Sequence, residues 1–216
     1  MSTTSSLNES IFNRDLDQNQ FSGMIPPELG QRLSSNRFSG ILPLELAELK
    51  NLTNLINDIN FTGSIPEYIS SWSGLSRLEI QGSGLKGPIP PSLSVLEKLT
   101  QIRISDIHGT NQSFPVLTNM TGLTRVILKN CGISGGIPEY IWGMKNLSFL
   151  DLSFNELTGE LTNVPISASF KFIFLTGNSL SGSIPLSILK KGITVDLSYN
   201  NFSLQSVEQS ACREKL

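Results

Sequence analysis

Apolar residues in this chain recur on a fixed beat that fits neither a helix nor a long alternating strand. The clearest stretch runs Leu147-Ser-Phe-Leu150-Asp-Leu152-Ser-Phe-Asn155-Glu-Leu157-Thr-Gly159. Alternation at Leu150 and Leu152 predicts a short strand with one apolar face. Asn155 then predicts a turn, and its side-chain amide offers donors and an acceptor to the open backbone of neighbouring copies. Gly159 allows a backbone geometry that a Cβ would hinder. A unit this small cannot bury its own leucines, so copies must stack on either side.

Those copies are present. Leu123, Val126 and Leu128 stand 24 residues before Leu147, Leu150 and Leu152. The same spacing of 24 leads back to Leu99, Ile102 and Ile104, and again to Leu75, Leu78 and Ile80. Phe170, Ile173 and Leu175 follow downstream, then Val195 and Leu197. The second half of the unit reads G-x-I-P at Gly63–Pro66, Gly87–Pro90, Gly135–Pro138 and Gly182–Pro185. This pattern is the leucine-rich repeat, which also admits Cys131 at the asparagine position. Its G-x-I-P half resembles the plant-specific class.

The expected fold is a leucine-rich-repeat solenoid of about nine coils. A parallel β-sheet should line the concave face, with irregular or 3-10 returns on the convex side. Residues 1–14 are polar and expected to be disordered, and 15–63 hold shortened, degenerate repeats. Residues 64–203 should form the regular solenoid, and 204–216 a C-terminal cap remnant. Asn19 and Asn36 are 17 residues apart, so most of one strand is missing there, and coil three puts Ile59 where asparagine belongs. Coil five puts Ile107 there and loses its G-x-I-P.

The run from Asn200 to Lys215 is similar to the segment closing the repeats in plant leucine-rich-repeat receptor-like serine/threonine kinases that carry a malectin-like domain. That resemblance implies a ligand-sensing region at the extracellular face of the plasma membrane. A malectin-like domain, membrane span and kinase would follow in such a protein, whereas this chain stops at Leu216. Its start lacks the basic and apolar regions of a secretory signal. The expectation is therefore a truncated ectodomain. A secreted inhibitor of cell-wall-degrading enzymes and an inactive gene remnant are the rivals.

A formal charge of -2 argues against nucleic acid as a partner. No apolar run approaches membrane-spanning length, so no insertion by the chain itself is expected. Chemistry finds little footing. The sole histidine, His108, lies in the irregular return of coil five, with no triad or metal cluster around it. No H-R-D or D-F-G kinase motif occurs. No catalytic residue, metal or cofactor is expected. Cys131 should point into the core, and Cys212 is a free or formerly paired cap cysteine.

Binding is the remaining role. Residues between the ladder leucines face outward on the concave sheet. Across the coils they form a basic zone of Arg77, Arg103, Arg125 and Lys129 beside an aromatic zone of Phe149, Phe172 and Phe174, with Glu79 and Asp151 among them. These residues predict a groove for a peptide, a glycan or a co-receptor ectodomain, with aromatics as anchors and arginines selecting carboxylates. Ile127, in the row of Glu79 and Arg103, and the next row outward, with Ser105 and Ser153, should also face solvent. N-x-[ST] sequons at Asn8, Asn51, Asn60, Asn111, Asn119, Asn146 and Asn201 are glycosylation candidates.

Overall fold

The computed structural model describes residues 40–203, apart from 43, 49–51, 58–60, 83, 108, 110 and 162–165, together with three short strands before residue 40. His108, Cys212, Asn8, Asn51 and Asn60 lie outside the described residues. Eight parallel strands form the main sheet. In spatial order they are Arg32–Leu33, Asn54–Asn57, Arg77–Gln81, Gln101–Ser105, Arg125–Lys129, Phe149–Asp151, Phe172–Phe174 and Thr194–Asp196. Leu55, Leu78, Ile102, Val126, Leu150, Ile173 and Val195 stand opposite one another on successive strands. All but the terminal Val195 are buried. The ladder predicted from the period is thus the central row of the core, and the fold is a leucine-rich-repeat solenoid.

The first leucine of each unit fills the core behind the sheet: Leu75, Leu99, Leu123 and Leu147 are wholly buried. The G-x-I-P half works through backbone preference. Pro66, Pro90 and Pro138 hold φ at -78°, -66° and -62° and lead directly into 3-10 turns. Those turns, Glu67–Ser71, Pro91–Val95 and Glu139–Gly143, bury Ile69, Leu93 and Ile141 respectively. Gly159, at φ 86°, occupies a left-handed conformation shared by Gly63, Gly135 and Gly182 at the same place in their coils.

The returns are more ordered than expected. Besides the 3-10 turns, a second parallel sheet of five strands runs down the solenoid. Its members are Gln112–Ser113, Ile133–Gly135, Glu156–Glu160, Ser179–Gly182 and Asn201–Phe202. Coils that repeat one rotation bring every backbone segment level with its neighbour, so a second ladder closes wherever the chain is extended.

Buried side-chain amides fill the turns between the two sheets. Asn155 Oδ1 accepts from the N–H of Cys131 and of Ile133, while Nδ2 donates to the carbonyls of Leu128 and Leu152. Asn178 and Asn200, only partly buried, repeat the pattern one and two coils on, each accepting from one N–H, of Leu157 and Leu180, and donating to two carbonyls. Coil five lacks this asparagine, and Gln112 bridges its neighbours from another position. Gln112 Oε1 accepts from Ile89 N at 2.6 Å, and Nε2 donates to the Cys131 carbonyl at 2.7 Å. At the asparagine position of coil six, the Cys131 thiol lies 3.2 Å from the Ile104 and Lys129 carbonyls.

Replacing Asn155 by alanine strands two buried N–H groups and the Leu128 carbonyl, while the Leu152 carbonyl keeps its bond from Asn178 Nδ2. Each lost partner costs about 1–3 kcal/mol, so Asn155→Ala should destabilise by roughly 3 kcal/mol or more, read as a fall in the urea midpoint. Gln112→Leu should behave similarly, because its amide is equally enclosed. Burial also pushes the Cys131 thiol up to about 12. In a Cys212→Ser background it should resist iodoacetamide at about pH 8, where a free thiol reacts, and be alkylated only after unfolding. Because the folded thiol keeps its proton when the unfolded one has lost it, the stability it confers is whole below about pH 9. That contribution should fall as pH rises towards 12, and the fall should vanish in Cys131→Ala.

Candidate functional site on the concave sheet

The strand register sets the outward side chains in rows. One row reads Arg77, Gln101, Arg125, Phe149, Phe172 and Thr194. The next reads Glu79, Arg103, Ile127, Asp151, Phe174 and Asp196. Gln81, Ser105 and Lys129 begin the third. All nine residues singled out from the sequence therefore lie on this one sheet.

Their roles within it differ. Arg77 is engaged by its own strand, with Nε donating to Glu79 Oε1 at 2.7 Å and a second guanidinium nitrogen 2.6 Å from the same oxygen. Positions i and i+2 share a strand face, so this pair forms without any neighbour. The basic and aromatic zones are not merely adjacent. The Arg125 guanidinium sits 4.6 Å from the centroid of the Phe149 ring, a cation–π contact that joins them. Phe149 in turn lies 5.4 Å from Phe172 and 5.5 Å from Phe174, centroid to centroid. Phe172 is the most open of the three, with 39% of its surface exposed.

The carboxylates serve the backbone. Asp151 Oδ1 accepts from Ser153 N, and Asp196 Oδ1 accepts from the N–H and hydroxyl of Ser198. Hydrogen bonds from the Ser198 hydroxyl and N–H hold the Asp196 carboxyl below its ordinary range. Arg103 is in the opposite condition. Its Nε is buried and has no hydrogen-bond partner among the described residues. Between a salt-bridged Glu79 and the apolar Ile127, it is a donor in need of an acceptor.

Three expectations are corrected. Ile127, expected to face solvent, is buried, as are Ser105 and Ser153. Immediately after each serine the chain turns through a left-handed residue, Asp106 at φ 58° and Phe154 at φ 59°, which draws the serine inward. That corner also carries residues the alternation overlooks. Phe154 and Tyr199 precede the turn asparagines and are 51% and 85% exposed. Lys129 reaches this corner, its Nζ 5.3 Å from the Phe154 centroid. Asn130 Nδ2 donates to Asp106 Oδ1 along the same edge. The only available signal was an aromatic placed directly before the asparagine of the motif.

The described sequon residues Asn111, Asn119, Asn146 and Asn201 are all exposed, and none belongs to the main sheet. Among the described residues no His, Cys, Asp and Glu cluster could hold a metal ion, and no helix is long and apolar enough to cross a membrane.

Comparison with known proteins fits this geometry. A family model described as Leucine Rich Repeat matches residues 146–166. The chain is 51% identical over 67 residues to the probable LRR receptor-like serine/threonine-protein kinase RFK1 of Arabidopsis thaliana, a match covering 31% of this chain and 7% of that protein. It is 35% identical over 195 residues to receptor-like protein 39 of Arabidopsis thaliana, covering 88% of this chain and 20% of the relative. The chain thus spans a small part of the curated relatives it matches. Among solved structures, the plant peptide hormone receptor RGFR1 in complex with RGF2 superposes with a TM-score of 0.75 at 31% identity, over 87% of this chain and 32% of that one. The Arabidopsis receptor kinase HAESA, in complex with the peptide hormone IDA and the co-receptor SERK1, gives 0.73 at 29% identity over 88% and 34%. Through its stacked repeats this chain is homologous to the ectodomains of plant leucine-rich-repeat receptor-like kinases.

Proposed function

We propose that the chain is a non-catalytic recognition module, the ligand-sensing repeat region of a plant receptor-like kinase of the malectin-bearing subfamily, acting at the outer face of the plasma membrane. Its concave sheet binds an extended peptide that presents a carboxylate close to an apolar side chain. One observation carries this reading: Arg103, with a buried and unpartnered Nε, lies one strand from Arg125, whose guanidinium rests on a three-phenylalanine cluster. A carboxylate would satisfy the arginine, and an apolar neighbour would cover Phe172. RGFR1 and HAESA, both similar in fold, were solved with peptide hormones, which favours a peptide over a glycan. The described sequons leave this face free of sugar. A co-receptor ectodomain is the natural second partner, as HAESA was solved with one.

The test is a fluorescence-anisotropy screen of the secreted chain against synthetic peptides carrying one Asp, or a free C-terminus, within four positions of a Phe or Leu. At least one peptide should bind, and capping its carboxylate as an amide should weaken it. Loss of a well-buried anchor costs about 2 kcal/mol or more, and about 1.4 kcal/mol is tenfold in Kd. Phe149→Ser with Phe172→Ser, and Arg103→Ala separately, should therefore each raise Kd at least tenfold. A library in which nothing binds, or a bound peptide indifferent to all three changes, removes the concave face as the ligand site.

A further inference from the structure

On the return side, away from the main sheet, a groove of 410 Å³ opens between the turns of coils five and six. Its lining includes Thr118, Thr121, Tyr140, Met144, Lys145 and Asn146. That volume falls in the range of small-ligand sites, roughly 300–1,000 Å³. The Tyr140 ring is held rigidly, because its hydroxyl accepts from Leu117 N at 3.0 Å and donates to the Pro115 carbonyl at 3.3 Å. The groove is therefore lined by Tyr140 and Met144, which bring apolar surface, and by two threonines and a lysine, which bring hydroxyl and ammonium donors. A flat apolar wall beside hydroxyl and ammonium donors suits a pyranose ring, which has an apolar face and a polar edge.

One lining residue is itself a point of attachment. Asn146 begins the sequon Asn146-Leu-Ser148 and is exposed. Its Nδ2 spends one hydrogen on the Thr121 carbonyl at 2.9 Å. The amide is thereby fixed at the groove, and the second hydrogen is left for substitution.

We propose that Asn146 carries an N-linked glycan whose first N-acetylglucosamine residues lie in this groove and complete the packing of Tyr140 and Met144. Attachment forms a bond from Asn146 Nδ2 to the anomeric carbon of an oligosaccharide held on a lipid diphosphate. The anomeric C–O bond breaks, the diphosphate leaves with the electron pair, and the displaced amide proton passes to solvent. Asn111, Asn119 and Asn201 are exposed but do not line the groove, so sugars there would extend freely. The inference rests on the extracellular part of the proposed function and not on the concave site.

The experiment directs the full chain through the plant secretory pathway behind a heterologous signal peptide, so its outcome is independent of peptide binding. Glycopeptide mass spectrometry should find Asn146 occupied. Asn146→Gln should lower the Tm of the secreted chain by about 2–4 °C more than it lowers that of the bacterially made, sugar-free chain. Asn119→Gln should show no such difference. Should the variant fail to fold, the wild-type chain trimmed to one N-acetylglucosamine supplies the second readout, a nuclear Overhauser contact between the acetyl methyl and the Tyr140 ring protons. An unoccupied Asn146, equal Tm losses in the two preparations, or no such contact would overturn the proposal.

Discussion

Stacked coils create a problem that leucines cannot solve. Each coil turns sharply between its two strands, and the backbone at that turn is shielded from water by the coils on either side. A buried N–H or carbonyl without a partner costs about 1–3 kcal/mol, and every coil would incur that cost several times. The turn amide meets it. Asn155 ties its own coil to the one before it, taking two N–H groups of the preceding coil and donating to carbonyls of that coil and its own. Such a bond pattern fixes the spacing and the rotation between neighbours. The outward rows stay in register only because that rotation repeats. The juxtaposition of Arg103, Arg125 and Phe149 is therefore a consequence of buried amides on the other side of the strand.

The same constraint explains what the sequence disclosed. The leucine ladder was legible because burial at Leu78, Ile102, Val126, Leu150 and Ile173 is imposed by the period itself. The second sheet was not. In Glu156–Glu160 only Leu157 is buried, so no apolar alternation announces a strand, and its pairing is dictated by the coils beside it. Gln112 was equally silent. It occupies no consensus position, and only the three-dimensional gap left by Ile107 gives its amide a role. In the site, alternation placed every candidate on the right face, yet it could not tell which charges were already engaged. Arg77 satisfies Glu79 within one strand, and nothing in the spacing distinguishes it from Arg103, whose Nε finds no acceptor among the described residues.

That distinction shapes the electrostatics of the face. The chain as a whole carries a formal charge of -2, but the acids of this sheet are spent locally. Glu79 neutralises Arg77, while Asp151 and Asp196 accept from the backbone of Ser153 and Ser198. Arg103 and Arg125 remain, one lacking an acceptor at Nε among the described residues and one resting on an aromatic face. Guanidinium groups in such surroundings are less well hydrated than on open surface, which raises the return from meeting a carboxylate.

The left-handed corner shows how the repeat accommodates side chains it does not favour. Each coil needs a positive φ just before its asparagine position, and Gly82 and Gly177 supply it at no steric cost. Phe154 and Tyr199 take the same conformation at φ 59° and 54°, at a penalty of about 1–2 kcal/mol each. At Phe154 the neighbouring glycine helps. A Cβ on Gly177 would stand 2.8 Å from the Phe154 Cδ1 atom, so the absence of that side chain is what gives the ring a place to lie. The aromatic is then held by a bare backbone below and an ammonium group at its face. Coil seven can thus carry a strained aromatic because coil eight carries nothing at the matching position. The two residues make sense only as a pair read across coils.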